Sequence, residues 1–206
     1  IYGGRMSLAI GLIAVAIATV LGVVLGLVSG YIGGKVDNVL MRLMDILIAF
    51  PGMLLALAIV SALGPGTINL MIAIGIYSVP TFARVVRGSV LAVKEMEFVE
   101  AARAIGQNSL LIVFSHILPN CVGPVLVLAT LRIATAILVG AGLSFLGLGP
   151  QPPTPEWGAM LSSGREYLRI APWVATYPGL AIMFVVLGFN IFGDGLRDAM
   201  DPRLRQ

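Results

Sequence analysis

The chain has little of what most protein chemistry uses. Its 206 residues include one cysteine, Cys121, and one histidine, His116. A lone cysteine excludes an intrachain disulfide and any zinc site built on several thiolates. A lone histidine excludes a metal site built on a histidine pair. Charge is scarce as well: 11% of residues are Asp, Glu, Lys or Arg, against 58% hydrophobic. Soluble domains carry roughly 25% charged residues, so this chain cannot cover its own surface with polar side chains. The net charge is +3, but most basic residues stand singly between apolar runs. A nucleic-acid binder clusters them on one face, so no nucleic-acid partner is expected. No basic leader with a cleavage site precedes the first apolar run, and no G-x-x-x-x-G-K-[ST] phosphate loop occurs. Ile1 stands where an initiator methionine would, so a further segment is expected upstream.

What is present is long apolar sequence. A bilayer core is crossed by about 20 apolar helical residues. Met6–Ile32 is uncharged over 27 residues. Residues 46–83 are uncharged over 38, with Gly64-Pro65-Gly66 where a turn is needed. The runs are continuous rather than alternating, which favours helices over a membrane barrel. The expected architecture is all-α: one polytopic transmembrane bundle over 1–206. Its five spans are expected near 6–32, 40–63, 67–87, 119–148 and 170–193, with an inner segment at 88–118 and an outer loop at 149–169.

Basic residues orient such a bundle, because Lys and Arg accumulate on the cytoplasmic side. Lys35, Arg42, Arg84, Arg87, Lys94, Arg103, Arg197, Arg203 and Arg205 fall on one side, and Arg5, Arg165 and Arg169 on the other. Nine against three places the 31–42 turn, residues 84–118 and the C-terminus in the cytoplasm. Trp157, Tyr167, Trp173 and Tyr177 then cluster at the outer interface, as aromatic anchors do.

Several features carry specific expectations. Ala14, Ala18, Gly22, Gly26 and Gly30 repeat every fourth residue, a stripe that lets helix backbones approach closely. The partner helix lies either within this chain or in another subunit. Arg42 and Asp45 are spaced to pair on one helical face, and Pro51 should kink the second span. Arg132 is the one charge deep in a span. Such a charge faces a cavity or a partner, so Arg132 is a candidate for the translocation path, with a structural pair across helices as the other reading. In the outer loop, Thr154 is the expected N-cap of a short helix, with Pro155 at its first position. Pro153 and Trp157 mark this loop as a candidate lid or docking surface, the other reading being a re-entrant seal.

The inner segment is the most informative. Residues 97–105 are good helix formers, with Met96, Val99, Ala102 and Ile105 available for one apolar face. Gly106 can end the helix in a left-handed cap, and Asn108 or Ser109 can begin another. His116-Ile117-Leu118-Pro119-Asn120 leads into the fourth span.

Glu100-Ala101-Ala102, then Gly106, then Leu118-Pro119 resembles the EAA loop of binding-protein-dependent ABC importer permeases. Three further stretches are similar to the C-type permease of the dipeptide, oligopeptide and nickel branch. They are Tyr2-Gly3-Gly4-Arg5, Leu143 to Gly149 running into Gln151 to Gly158, and Gly193-Asp194-Gly195-Leu196-Arg197-Asp198 with Asp201-Pro202-Arg203-Leu204. The consensus often has isoleucine where this chain has His116, and the peptide branch often departs from it there. The resemblance covers essentially the whole chain and implies a type I importer fold, with one earlier N-terminal span. It implies a bacterial or archaeal inner membrane and a non-enzymatic role. The expected partners are a second, B-type permease, two ATP-binding subunits and an extracytoplasmic binding protein, besides membrane lipid. ATP would be bound by those partners, with no cofactor or metal in this chain. Glu100, Ala101, Ala102, Arg103, Gly106, Leu118 and Pro119 would couple the ATPase to the spans. Di- or oligopeptides are the expected cargo, with glutathione or nickel as alternatives.

Two rivals remain. An intramembrane enzyme would need Ser144 and His116 together, yet 28 intervening helical steps separate them by about 40 Å. An ATP-independent channel or secondary transporter would leave the inner helix without a purpose.

Overall fold

A computed structural model describes residues 1–200. The expected C-terminal stretch Asp201-Pro202-Arg203-Leu204, with Arg203 and Arg205 of the basic count, lies outside the described residues. Nine α-helices follow one another, without strands among the described residues: α1 (Tyr2–Ile32), α2 (Gly34–Ala49), α3 (Gly52–Leu63), α4 (Thr67–Val93), α5 (Glu97–Ala104), α6 (Ser109–Ile112), α7 (Leu118–Phe145), α8 (Trp157–Gly164) and α9 (Trp173–Met200). A π-helical turn, Val113–Ile117, joins α6 to α7, and a 3-10 turn, Arg165–Tyr167, follows α8. Helix α1, helix α4, the run 109–145 and helix α9 are each long and apolar enough to cross a membrane.

The kink expected at Pro51 in the span 40–63 is a sharp one: α2 and α3 meet at 92°. The cause is local. A residue before proline is pushed out of the helical region, and Phe50 is extended at φ −86°, ψ 137°. Pro51 has no amide to continue the ladder, and α3 restarts at Gly52. Helix α2 buries only Met44 and is tied to α4 by charge. Arg87 donates from Nε and Nη2 to the two Asp37 carboxylate oxygens at 2.5 Å, and Ser29 Oγ also donates to Asp37. Asp45 does not pair with Arg42. It accepts from Arg84 Nη2 at 2.6 Å, a tertiary contact that outcompetes the neighbour on its own helix.

The core forms where α1 lies along α4, with α7 against both. Ala14, Ala18, Gly22, Gly26 and Gly30 are all buried. A Cβ on Gly26 would stand 2.7 Å from both the Ala83 carbonyl oxygen and Val86 Cβ. One on Gly30 would stand 2.8 Å from Val90 Cβ. The partner of the stripe is therefore α4 of the same chain.

Candidate functional site

Helix α5 follows the end of α4, where Lys94 Nζ donates to the Gly30 carbonyl near the end of α1 at 3.3 Å. Glu97 and Glu100 lie in its first turn and Arg103 in its last, the order that suits the helix dipole. Val99 and Ala102 are buried against Leu27, Val86, Val90, Ile112 and Ile117. Met96 and Ile105 are exposed, Ile105 at 83%. The expected apolar face is thus split into two anchors and two outward residues. Glu100, Ala101, Arg103 and Gly106 are exposed, and Ala102 is the buried member of the motif. The Arg103 guanidinium lies 5.8 Å from the Tyr31 ring centroid, a cation–π approach.

Gly106 ends α5 at φ +78°. Its N–H donates to the Arg103 carbonyl at 2.9 Å, and the Gln107 N–H donates to the Ala102 carbonyl at 3.1 Å. Nothing lies within 4 Å of where its Cβ would be, so the glycine serves conformation rather than space. Asn108 is the N-cap of α6, its side chain accepting from the Leu110 N–H at 3.0 Å. Leu118 is half-buried and Pro119 exposed, in the first turn of α7 directly after the π turn.

Arg132 is half-buried in the middle of α7. Its Nη2 donates to Thr81 Oγ1 at 3.1 Å, on the middle turn of α4. No carboxylate pairs with it among the described residues.

The outer loop differs from expectation. Glu156, not Thr154, is the N-cap of α8, and its Oε2 accepts from the Ala159 N–H at 2.9 Å. Ser7 Oγ donates to Glu156 Oε1 at 2.8 Å and accepts from the Trp157 N–H at 3.1 Å. Glu156 is 1% exposed and Trp157 only 7%. Trp157 is therefore a buried anchor rather than an interfacial one, whereas Tyr167, Trp173 and Tyr177 are exposed. Pro153 lies on the exposed side of the loop. The tight seat of Trp157 depends on Gly4, where a Cβ would come within 2.7 Å of the indole. No local sequence signal announces the Glu156 contact, because its partner Ser7 lies 149 residues away.

Ser144 and His116 are not brought together. Ser144 is buried near the far end of α7, while His116 bonds to Gln107 beside α5.

The family described as "Binding-protein-dependent transport system inner membrane component" matches residues 22–206. The chain belongs to this family. It is the permease component of an ABC importer, which works with ATP-binding subunits and a substrate-binding protein. The permease is 56% identical over 203 residues to the glutathione transport system permease protein GsiD of Salmonella typhi. That match covers 98% of this chain and 67% of the relative. Its counterpart in Escherichia coli O6:H1 is 52% identical over the same coverage. The fold is shared with the MetNI methionine ABC transporter in its inward-facing conformation, at TM-score 0.75 and 20% identity over 97% of this chain and 94% of that one. It is shared also with the crystal structure of an amino acid ABC transporter with histidines, at TM-score 0.68 and 15% identity over 95% and 91%.

Proposed function

We propose that this permease pairs with a second, B-type permease and two ATP-binding subunits to import short peptides, glutathione among them. The relatives named for glutathione transport move the weight from general peptides toward that alternative. The observation that carries the coupling role is the seating of α5. It is held to the bundle by Val99 and Ala102 and leaves Glu97, Glu100, Arg103 and Ile105 outward. An ATPase cleft would receive that outward face, and Gly106 and Leu118-Pro119 would pass its displacement to α7. On this reading residues 84–118 and the C-terminus face the cytoplasm, in agreement with the basic residues. Nucleotide belongs to the partner subunits, since the sequence has no phosphate loop. Arg132 lines or borders the path, because an intramembrane cation that bonds to Thr81 and meets no carboxylate among the described residues needs water or cargo beside it.

The test is uptake by the assembled transporter in proteoliposomes, with labelled glutathione, a dipeptide and a pentapeptide offered through the binding protein. ATP-dependent glutathione uptake, abolished by Glu100→Lys with ATP hydrolysis retained, is the expected result. Uptake without ATP or without the ATP-binding subunits would overturn the importer reading for this chain.

A further inference from the structure

His116 joins three parts of the molecule at one point. Its Nε2–H donates to Gln107 Oε1 at 3.1 Å, and Gln107 is the first residue after the Gly106 turn. Phe98 of α5 lies beside the imidazole, with ring centroids 6.2 Å apart. The His116 carbonyl accepts from Asn120 Nδ2 at 2.6 Å, in the first turn of α7. His116 itself sits within the π turn Val113–Ile117.

That turn has a physical cause. A proline inside a helix lacks a donor and crowds the carbonyl four residues earlier. For Pro119 that carbonyl belongs to Ser115. A π turn inserts one extra residue into the ladder, which makes room for the ring. The same insertion interrupts the regular α-helical ladder in an otherwise continuous helical run from 109 to 145. A softer point there would absorb motion unless something braces it.

We infer that His116 is a positioning residue: its bond to Gln107 braces the Val113–Ile117 π turn, so that displacement of α5 is passed to α7 through Leu118-Pro119 instead of being absorbed at the turn. The inference rests on the proposed docking of α5 to the ATPase. It gives the imidazole of the chain's lone histidine a role: from the π turn the ring reaches Gln107 and Phe98.

The test uses the complete transporter in proteoliposomes, with ATP hydrolysis and uptake measured on the same preparation. His116→Leu removes the side-chain bond. The ATP hydrolysed per molecule imported should rise roughly three- to tenfold, the scale of one half-buried hydrogen bond, with unchanged recovery of the ATP-binding subunits. Gln107→Leu should give the same rise, and the double variant no more than either single, because both remove one contact. Exchanging the pair, His116→Gln with Gln107→His, should re-form the bond and restore the ratio. A wild-type ratio in both single variants overturns the inference, as does a loss of complex yield with no change in ratio. Should His116→Leu fail to assemble, Gln107→Leu and the exchange variant read the same bond. Glu100→Lys in parallel separates the two levels. If it uncouples while His116→Leu and Gln107→Leu do not, the brace falls and the docking role stands. If it leaves coupling intact, docking and brace fall together.

Discussion

Replacing Gly26 by alanine should damage the bundle, although alanine is the better helix former. The new Cβ would stand 2.7 Å from the Ala83 carbonyl oxygen and 2.7 Å from Val86 Cβ. Neither atom can swing aside: one is α4 backbone and the other is fixed to it. Overpacking of a rigid contact costs about 3 kcal/mol at the upper end of its range. Better helix propensity returns about 1 kcal/mol. The net loss is about 2 kcal/mol, or a fall in Tm of about 4–8 °C for a chain of this size. Gly88 on α4 is the control, since nothing lies within 4 Å of its Cβ position. Gly88→Ala should leave Tm unchanged or raise it by about 2–4 °C. The assay is thermal melting of the detergent-purified permease, followed by the monodisperse fraction on size exclusion. A Gly26→Ala Tm at or above wild type would refute the close packing of α1 on α4.

Glu156→Gln should loosen the outer loop, because the Ser7 hydroxyl and the Ala159 N–H donate to different carboxylate oxygens, and the amide turns one of these acceptors into an NH2 donor. The loss is about 1–3 kcal/mol, read as faster tryptic cleavage at Arg165 and Arg169, and an unchanged rate would contradict it. Asp37→Asn should lower Tm at least twice as far as Asp45→Asn. The first leaves Arg87 without its bidentate partner at a site where the Asp37 side chain is 14% exposed, while the Arg84–Asp45 side chains are 48% and 50% exposed. Exposed pairs contribute at most about 1 kcal/mol, and equal shifts would contradict the ranking. Arg132→Leu should impair uptake and leave assembly intact, and normal uptake would remove Arg132 from the translocation path.

The helical class and most spans were legible because apolar runs announce themselves by length alone. The kink at Pro51 was legible from the proline itself, but its size was not: an uncharged window sees no difference between a gently kinked span and two helices meeting at 92°. The α5–Gly106–Asn108 segment was legible in detail, because its caps are local: a positive-φ glycine and an Asx side chain two residues before its donor. Contacts between distant residues were not. Asp45 chooses Arg84 over the near neighbour Arg42, Ser7 meets Glu156, and Trp157 disappears behind Gly4. Periodicity reports which face of a helix is apolar, not which helix that face meets. For the same reason the stripe on α1 could be recognised but not assigned until α4 was seen against it.

The central claim is that α5 is the surface on which ATPase motion enters this permease. Site-specific cross-linking tests it most directly, with a cysteine placed at the exposed Ile105 in the assembled transporter. The native Cys121 is buried and leaves the new thiol as the reactive one. The account predicts an efficient cross-link from residue 105 to an ATP-binding subunit, changing in yield when ATP is bound. Reaction only with lipid or the second permease, with the ATP-binding subunits demonstrably present, would contradict it.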